Sequence, residues 1–335
     1  MKILIIRRDN IGDMICTLPL VVGLSNLDKS IAIDVLTNSY VAPILSNIRH
    51  LRQVFAYQKL KHSPTVKLKL IIQSVKTYFS IVAVRYDYII CFSARDLALS
   101  IALRGKQRVS YDKSAEGFFK YLRFTVVPWR AESHEVIRAW MLGSPIGLSM
   151  DSMPARTPLL SPFYPPMPDG QGPRIAVQLS ARKLGQRWPV EKYYALLSQL
   201  SKSECRVSVL WAPGSQANRF HPGDDEKANY LASVLNSTKI EFRKTSTLSS
   251  LIFELQKCQV MLSPDGGAAH IAAALGLRSV ILFGNSDPAH WAPWTEHNVI
   301  LRGENDRVES ISVEDVLKSL DSVSEGMTLL THQNL

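Results

Sequence analysis

Cysteine is scarce in this chain, and its placement excludes more than its number does. The four cysteines, Cys16, Cys91, Cys205 and Cys258, stand far apart with no CxxC pair. Such spacing supports neither a disulfide framework nor a zinc site, and it fits a reducing compartment. Long apolar runs are missing as well. The first apolar run stops at Ile6 before two arginines, and the uncharged stretch 14–27 is short and holds Pro19. Neither a signal peptide nor a membrane span is therefore expected, and the chain is expected to stay in the cytoplasm. No GxGxxG and no GxxxxGK[ST] is present, which removes the common dinucleotide and P-loop fingerprints. Nothing resembles an RNA-recognition motif, a zinc finger or a helix-turn-helix, so nucleic acid is not an expected partner. Asp224 and Asp225 form the only acidic pair with the look of a metal site, and they read as helix-start acids, so no metal is expected.

Acids are also in deficit. Lys and Arg number 39 against 29 Asp and Glu, a formal charge of +10, and that excess calls for an anionic partner. The 46% apolar and 20% charged fractions are those of a soluble globular chain, and 335 residues suit two domains of roughly 150 residues each.

What the chain does contain is an alternation of short β-rich runs and helical patterns. Strands are expected at KILII, at 32–37, 86–92 and 107–111, with helices at 12–26, 65–84, 95–103 and 132–142. After Pro173 the alternation restarts, with strands at 174–179, 205–211, a short KIEF, 259–263 and 279–284, and a closing helix at 314–323. This is the pattern of parallel βαβ units with right-handed crossovers. Seven prolines between 152 and 173 read as an extended linker. The expected organisation is a Rossmann-like domain over 1–151, the linker over 152–173, a second Rossmann-like domain over 174–325 and a loose tail over 326–335. Doubly wound sheets bind ligands at the carboxyl ends of their strands, so a central cleft with both sets of loops facing it is expected.

Those loops carry the candidates. In RRDNIGDM, residues 7–14, Gly12 would let the backbone turn and Asp13 would fall in the first helical turn, where an acid either caps the helix or does chemistry. In SARKLGQRWP, residues 180–189, Lys183 and Arg187 flank Gly185 as a pyrophosphate clamp or as a solvated basic loop. In WAPGSQ, Gly214 and Ser215 offer backbone amides to a nucleotide or form a plain turn. SPDGGAAHIAAALG, residues 263–276, sets Asp265, Gly266, Gly267 and His270 at a helix start, and reads as a phosphate site. FGNSDPAHWAPW, residues 283–294, is long enough to fold over a sugar or a base. Lys59, Lys61, Lys67, Lys69, Lys76 and Arg85 stud an apolar helical stretch, either a solvated face or a surface for anionic membranes.

Taken in order, these segments resemble glycosyltransferase family 9, the ADP-heptose:lipopolysaccharide heptosyltransferases. The likeness runs through ILIIRRDNIGDMICTLPL, RGKQRVSYDKSAEG, QRWPVEKY, SPDGGAAHIAAALG and FGNSDPAHWAP. It implies a GT-B fold of two Rossmann-like domains, and an inverting, metal-independent transfer of a heptose or related sugar. It also implies a nucleotide-sugar donor, ADP-heptose in that family, and an anionic lipopolysaccharide-core acceptor, with peripheral contact at the inner membrane and no separate cofactor. By position Asp13 matches the family's general base. Ser180, Lys183, Gln186, Arg187, Gly214, Ser215, Asp265, Gly266, Gly267 and His270 fall on the donor side; Arg7, Arg8, Arg95, Arg108 and Arg123 are candidates for the acceptor. Two positions depart from the pattern: Gln186 stands where Lys is usual, and Gly266 where Ser or Thr is usual. These departures keep open a different nucleotide sugar, or a protein that binds the donor with little transfer.

Overall fold

The computed structural model describes residues 1–58, 68–112, 124–167, 170, 172–218 and 222–324. Arg123, Lys59, Lys61, Lys67 and the tail expected over 326–335 lie outside the described residues, as does the side chain of Lys69. The chain divides into two compact units, Met1–Ala155 and Arg156–Leu335.

In the first unit the strands are β1 (Lys2–Ile6), β2 (Ala32–Asn38), β3 (Leu51–Tyr57), β4 (Tyr86–Cys91), β5 (Gly105–Tyr111) and β6 (Thr125–Val127). Its helices are α1 (Ile11–Leu27), α2 (Leu68–Val82), α3 (Ala94–Ile101) and α4 (Glu135–Met141). The sheet is parallel in the order β3-β2-β1-β4-β5-β6. Chain direction across the sheet reverses between β1 and β4, which makes the gap beyond their carboxyl ends the topological switch point. Central β1 buries Ile3 to Ile6 completely, as a strand covered on both faces must.

The second unit repeats the plan with β7 (Arg174–Gln178), α5 (Val190–Leu200), β8 (Arg206–Trp211), α6 (Asp225–Val234), β9 (Ile240–Lys244), α7 (Leu248–Leu255), β10 (Val260–Pro264), α8 (Gly267–Leu275), β11 (Arg278–Phe283), the short α9 (Pro288–Trp291), β12 (Asn298–Arg302) and α10 (Val313–Val323). Its parallel order is β12-β11-β10-β7-β8-β9, so the switch point lies between β7 and β10.

The proline-rich segment is more than an extended spacer. From residue 156 onward it belongs to the second unit. Leu160 N donates to Ala274 O at 2.7 Å, Met167 N to Gln256 O at 2.7 Å, and Gln256 Nε2 returns a bond to Pro165 O at 2.7 Å. Gly276 ends α8 in the left-handed region, φ +93°, with Pro158 packed against it, so the prolines extend the chain along a surface that supplies its backbone partners.

Candidate functional site

Each unit gathers charged and polar side chains at its own switch point. In the first unit, β1 delivers Arg7 to Asn10 and α1 begins at Ile11. Gly12 is the second residue of that helix and is not among the positive-φ glycines; the turn is made by Asp9 and an extended Asn10, correcting the role expected of Gly12. Asp13 does cap: Asn10 N and Asn10 Nδ2 donate to Asp13 Oδ2 at 3.1 and 3.2 Å. Its other oxygen does something else. Arg7 Nη2 donates to Asp13 Oδ1 at 2.7 Å and to Glu135 Oε1 at 2.6 Å, and Arg138 donates to Glu135 Oε2 through Nη2 and Nε at 2.8 and 3.0 Å.

These groups sit deep. The side chains of Arg7, Glu135 and Arg138 are 4, 7 and 6% exposed, and Asp13 is 13% exposed. The Phe92 ring covers the Arg7 guanidinium at 4.2 Å, and Trp129 covers Arg138 at 4.5 Å. Burial works against the Arg7 charge, but Asp13, Glu135 and Asp9 outweigh it and raise its proton affinity above that of an ordinary arginine.

The other acceptor-side candidates separate. Arg8 Nε pairs with Asp96 Oδ1 at 2.9 Å, and burial pushes the Asp96 carboxyl up despite bonds from Ser93 and Arg8. Arg95 is exposed in the first turn of α3. Arg108 is not brought to this end of the sheet. Its guanidinium donates to the carbonyls of Ser100, Leu103 and Gly105, where α3 ends and β5 begins. A helix returning antiparallel to its strands ends at their amino side, so Arg108 closes α3 there.

In the second unit three loops are tied together. Gln186 Nε2, from the loop after β7, donates to Asp265 Oδ2 at 2.6 Å and to Ser286 Oγ at 2.9 Å, reaching the loops after β10 and β11. A Cβ at Gly284 would stand 2.4 Å from Gly185 O, so glycine at 284 permits this approach. Burial raises the Asp265 carboxyl above the usual range, opposed by Ser286, Lys183 and Gln186. Arg187 is buried, with Nε donating to Ala181 O at 3.0 Å and Nη1 without a protein partner among the described residues. Gly266 has an extended backbone, φ 162°, and a Cβ there would meet nothing within 4 Å, so the space beside it is open. Gly267 opens α8, whose first amides form an anion-ready end, and His270 is buried in its first turn.

Ser180 Oγ accepts from Ala212 N at 2.9 Å, joining the first two loops. The Gly214 amide is already committed to Asp225 Oδ2 at 2.9 Å, in a left-handed turn, φ +110°, while Ser215 is exposed. Trp211 Nε1, that amide and Lys244 hold the Asp225 carboxyl down at about 2. Asp224 stands at the N-cap position of α6 without a side-chain capping bond, its carboxylate 3.2 Å from Lys227 Nζ, and Asp225 opens the helix, so both are helix-start acids.

Glu135, Arg138 and Ser286 were not legible as site residues. An acid opening a helix with an arginine three residues on reads as a local pair, and nothing local connects either to Arg7, 128 residues away from Glu135.

A family model for glycosyltransferase family 9 (heptosyltransferase) matches residues 80–320. Lipopolysaccharide heptosyltransferase 3 of Escherichia coli is 22% identical across 95% of this chain and 97% of its own length. Among solved structures, E. coli heptosyltransferase WaaC with ADP superposes with a TM-score of 0.81 at 18% identity, covering 96% of this chain and all of that one. E. coli ADP-heptose lps heptosyltransferase II gives 0.72 at 20% identity, covering 97% of this chain and 99% of its own. The two doubly wound units are the Rossmann-like pair of the GT-B class, and the chain belongs to glycosyltransferase family 9, the heptosyltransferase family.

Proposed function

We propose that this glycosyltransferase transfers heptose from ADP-heptose to a lipopolysaccharide-core acceptor with inversion, using Asp13 as general base. The observation that carries the reading is a partly exposed carboxylate, Asp13, at the switch point of the first unit, where it ends a paired and buried chain of charges formed by Arg7, Glu135 and Arg138. In this reaction the acceptor hydroxyl oxygen attacks the anomeric carbon, its proton passes to the Asp13 carboxylate, and the bond to ADP breaks with its electron pair leaving on the diphosphate. The α8 amino end, Arg187 and Lys183 are the groups suited to stabilise that charge, while Asp265 and Gln186 orient the sugar. Enzymatic proton transfer of this kind contributes about 10²–10⁴-fold. The described apolar and basic face of α2 suits peripheral attachment at the cytoplasmic side of the inner membrane, where such an acceptor is built.

Asp13→Ala leaves Arg7 paired with Glu135, so the fold is expected to survive. Heptose transfer should fall by about 100-fold or more, as a lost general base implies, with ADP affinity by calorimetry unchanged. Full turnover in Asp13→Ala overturns the assignment. Tight ADP binding by the unaltered protein without transfer to any core acceptor would instead favour a nucleotide-sugar-binding protein, the reading that Gln186 in place of lysine keeps open.

A further inference from the structure

Arg138, Glu135, Arg7 and Asp13 form a chain of alternating charge in which only the last member reaches the surface appreciably. A single nitrogen, Arg7 Nη2, lies 2.7 Å from Asp13 Oδ1 and 2.6 Å from Glu135 Oε1. Its two protons can serve one carboxylate each. The second Glu135 oxygen is occupied by two bonds from Arg138, so Glu135 has little freedom to turn away. Phe92 and Trp129 close the faces of the two guanidinium groups. Asp9 approaches Arg7 Nε at 3.5 Å, and burial holds the Tyr111 phenol up beside the same charges.

We infer that Glu135 is a positioning residue for Asp13, acting through Arg7. The inference rests on the general-base reading of Asp13. Glu135 fixes where the Arg7 guanidinium lies and shares its charge, so Arg7 orients the Asp13 carboxylate without holding it as a sole counter-ion. Arg138 serves Glu135 in the same way. The four charges sum to zero, which is what burial demands of such a group. A network serving stability alone has no need to end at a carboxylate offered at the carboxyl end of β1.

The test is a cycle built from Glu135→Gln and Arg7→Met, read as kcat and donor KM for heptose transfer together with thermal melting. Glu135→Gln is expected to lower kcat about 10- to 100-fold, the scale of small misplacements at a reacting group, with donor KM within about twofold. In an Arg7→Met background, Glu135→Gln should lower kcat no further, since the connection to Asp13 is already cut. Unchanged kcat in Glu135→Gln, or losses that multiply in the double variant, overturn the proposal. Should Glu135→Gln fail to fold, Glu135→Asp keeps the charge and the partner on its own helix but shortens the reach to Arg7, and the same kcat loss is expected. Folded and fully active Glu135→Asp overturns the proposal, and so does failure of both variants to fold, which marks the pair as structural. Activity retained in Asp13→Ala condemns the general-base reading itself; an inactive Asp13→Ala beside a fully active Glu135→Gln condemns only the positioning role.

Discussion

The amide of Gln186 reaches Asp265 from a position where the family pattern has a cation. A lysine at this position would meet Asp265 as an ion pair, whereas Gln186 meets it as a neutral donor at 2.6 Å and shares its other proton with Ser286. Burial raises the Asp265 carboxyl, and the Gln186 bond is one of the forces pulling it back down. Gln186→Leu removes that bond, so Asp265 should hold its proton to higher pH than in the unaltered protein. Under the proposed donor role, the ionised form of Asp265 is the one able to accept from sugar hydroxyls. The acid limb of 1/KM for the nucleotide sugar should therefore move to higher pH, and KM at neutral pH should rise about tenfold, one lost hydrogen bond to a charged group. A pH profile of KM checks this, and an unmoved limb refutes it. Asp13, Asp265, Gln186 and Arg187 stood out as candidates in the sequence because each lies within a few residues of a strand end, where the fold class places ligands. Glu135 was not, because its partner is distant in sequence and its own surroundings read as an ordinary helix start. Arg108 misled for the same reason: a basic residue in a strand gives no sign of which end of the sheet its guanidinium will serve.

At the scale of elements, the site depends on how closely α4 approaches α1, since one carries Glu135 and the other Asp13. Gly23 in α1 permits that approach. A Cβ at 23 would come within 2.4 Å of the Trp140 ring of α4, whose indole is buried and donates to Ser149 O at 2.9 Å. Gly23→Ala gains helix propensity but must displace α4, and overpacking of this kind costs about 1–3 kcal/mol. Melting temperature should fall, and kcat should fall with it as Glu135 is drawn off Arg7. A Gly23→Ala protein with normal stability and turnover would show that the contact tolerates a methyl group. The elements themselves were read unevenly. Central β1, β4, β7 and β10 show near-continuous apolar runs because both faces are covered. The strands the sequence conceals, β3, β6 and β12, are all sheet edges with partly exposed residues and no such run. Helix α1 was legible despite Pro19, since it is apolar around most of its circumference and buries 11 of its 17 residues.

Over the whole molecule, a charge of +10 must be distributed somewhere, and one stretch is one-sided. Residues 59–86 contain six Lys and Arg and no Asp or Glu. Within α2, Val75, Tyr78 and Phe79 recur at helical spacing and are 45, 41 and 67% exposed, with Lys76 exposed among them. No helix among the described residues is long and apolar enough to cross a membrane. Each basic residue near an anionic surface contributes about 1 kcal/mol, and burying an aromatic ring at the headgroup boundary contributes about 1.5–3 kcal/mol. Reversing Lys76 to Glu and replacing Phe79 by Ser should together lower partition onto phosphatidylglycerol-containing vesicles by more than about tenfold, because the two losses exceed 1.4 kcal/mol. The unaltered protein should sediment with those vesicles and remain in solution beside neutral phosphatidylcholine. Molar salt should release most of it, since the screening length shrinks from about 8 Å at physiological salt to about 3 Å at 1 M. Turnover on a soluble acceptor fragment should be the same in Lys76→Glu/Phe79→Ser as in the unaltered protein, because α2 packs on β3 at the edge of the sheet and not on the central switch point. Equal sedimentation with neutral vesicles, or a double variant that binds as well as its parent, would leave the exposed face of α2 as solvated helix and nothing more.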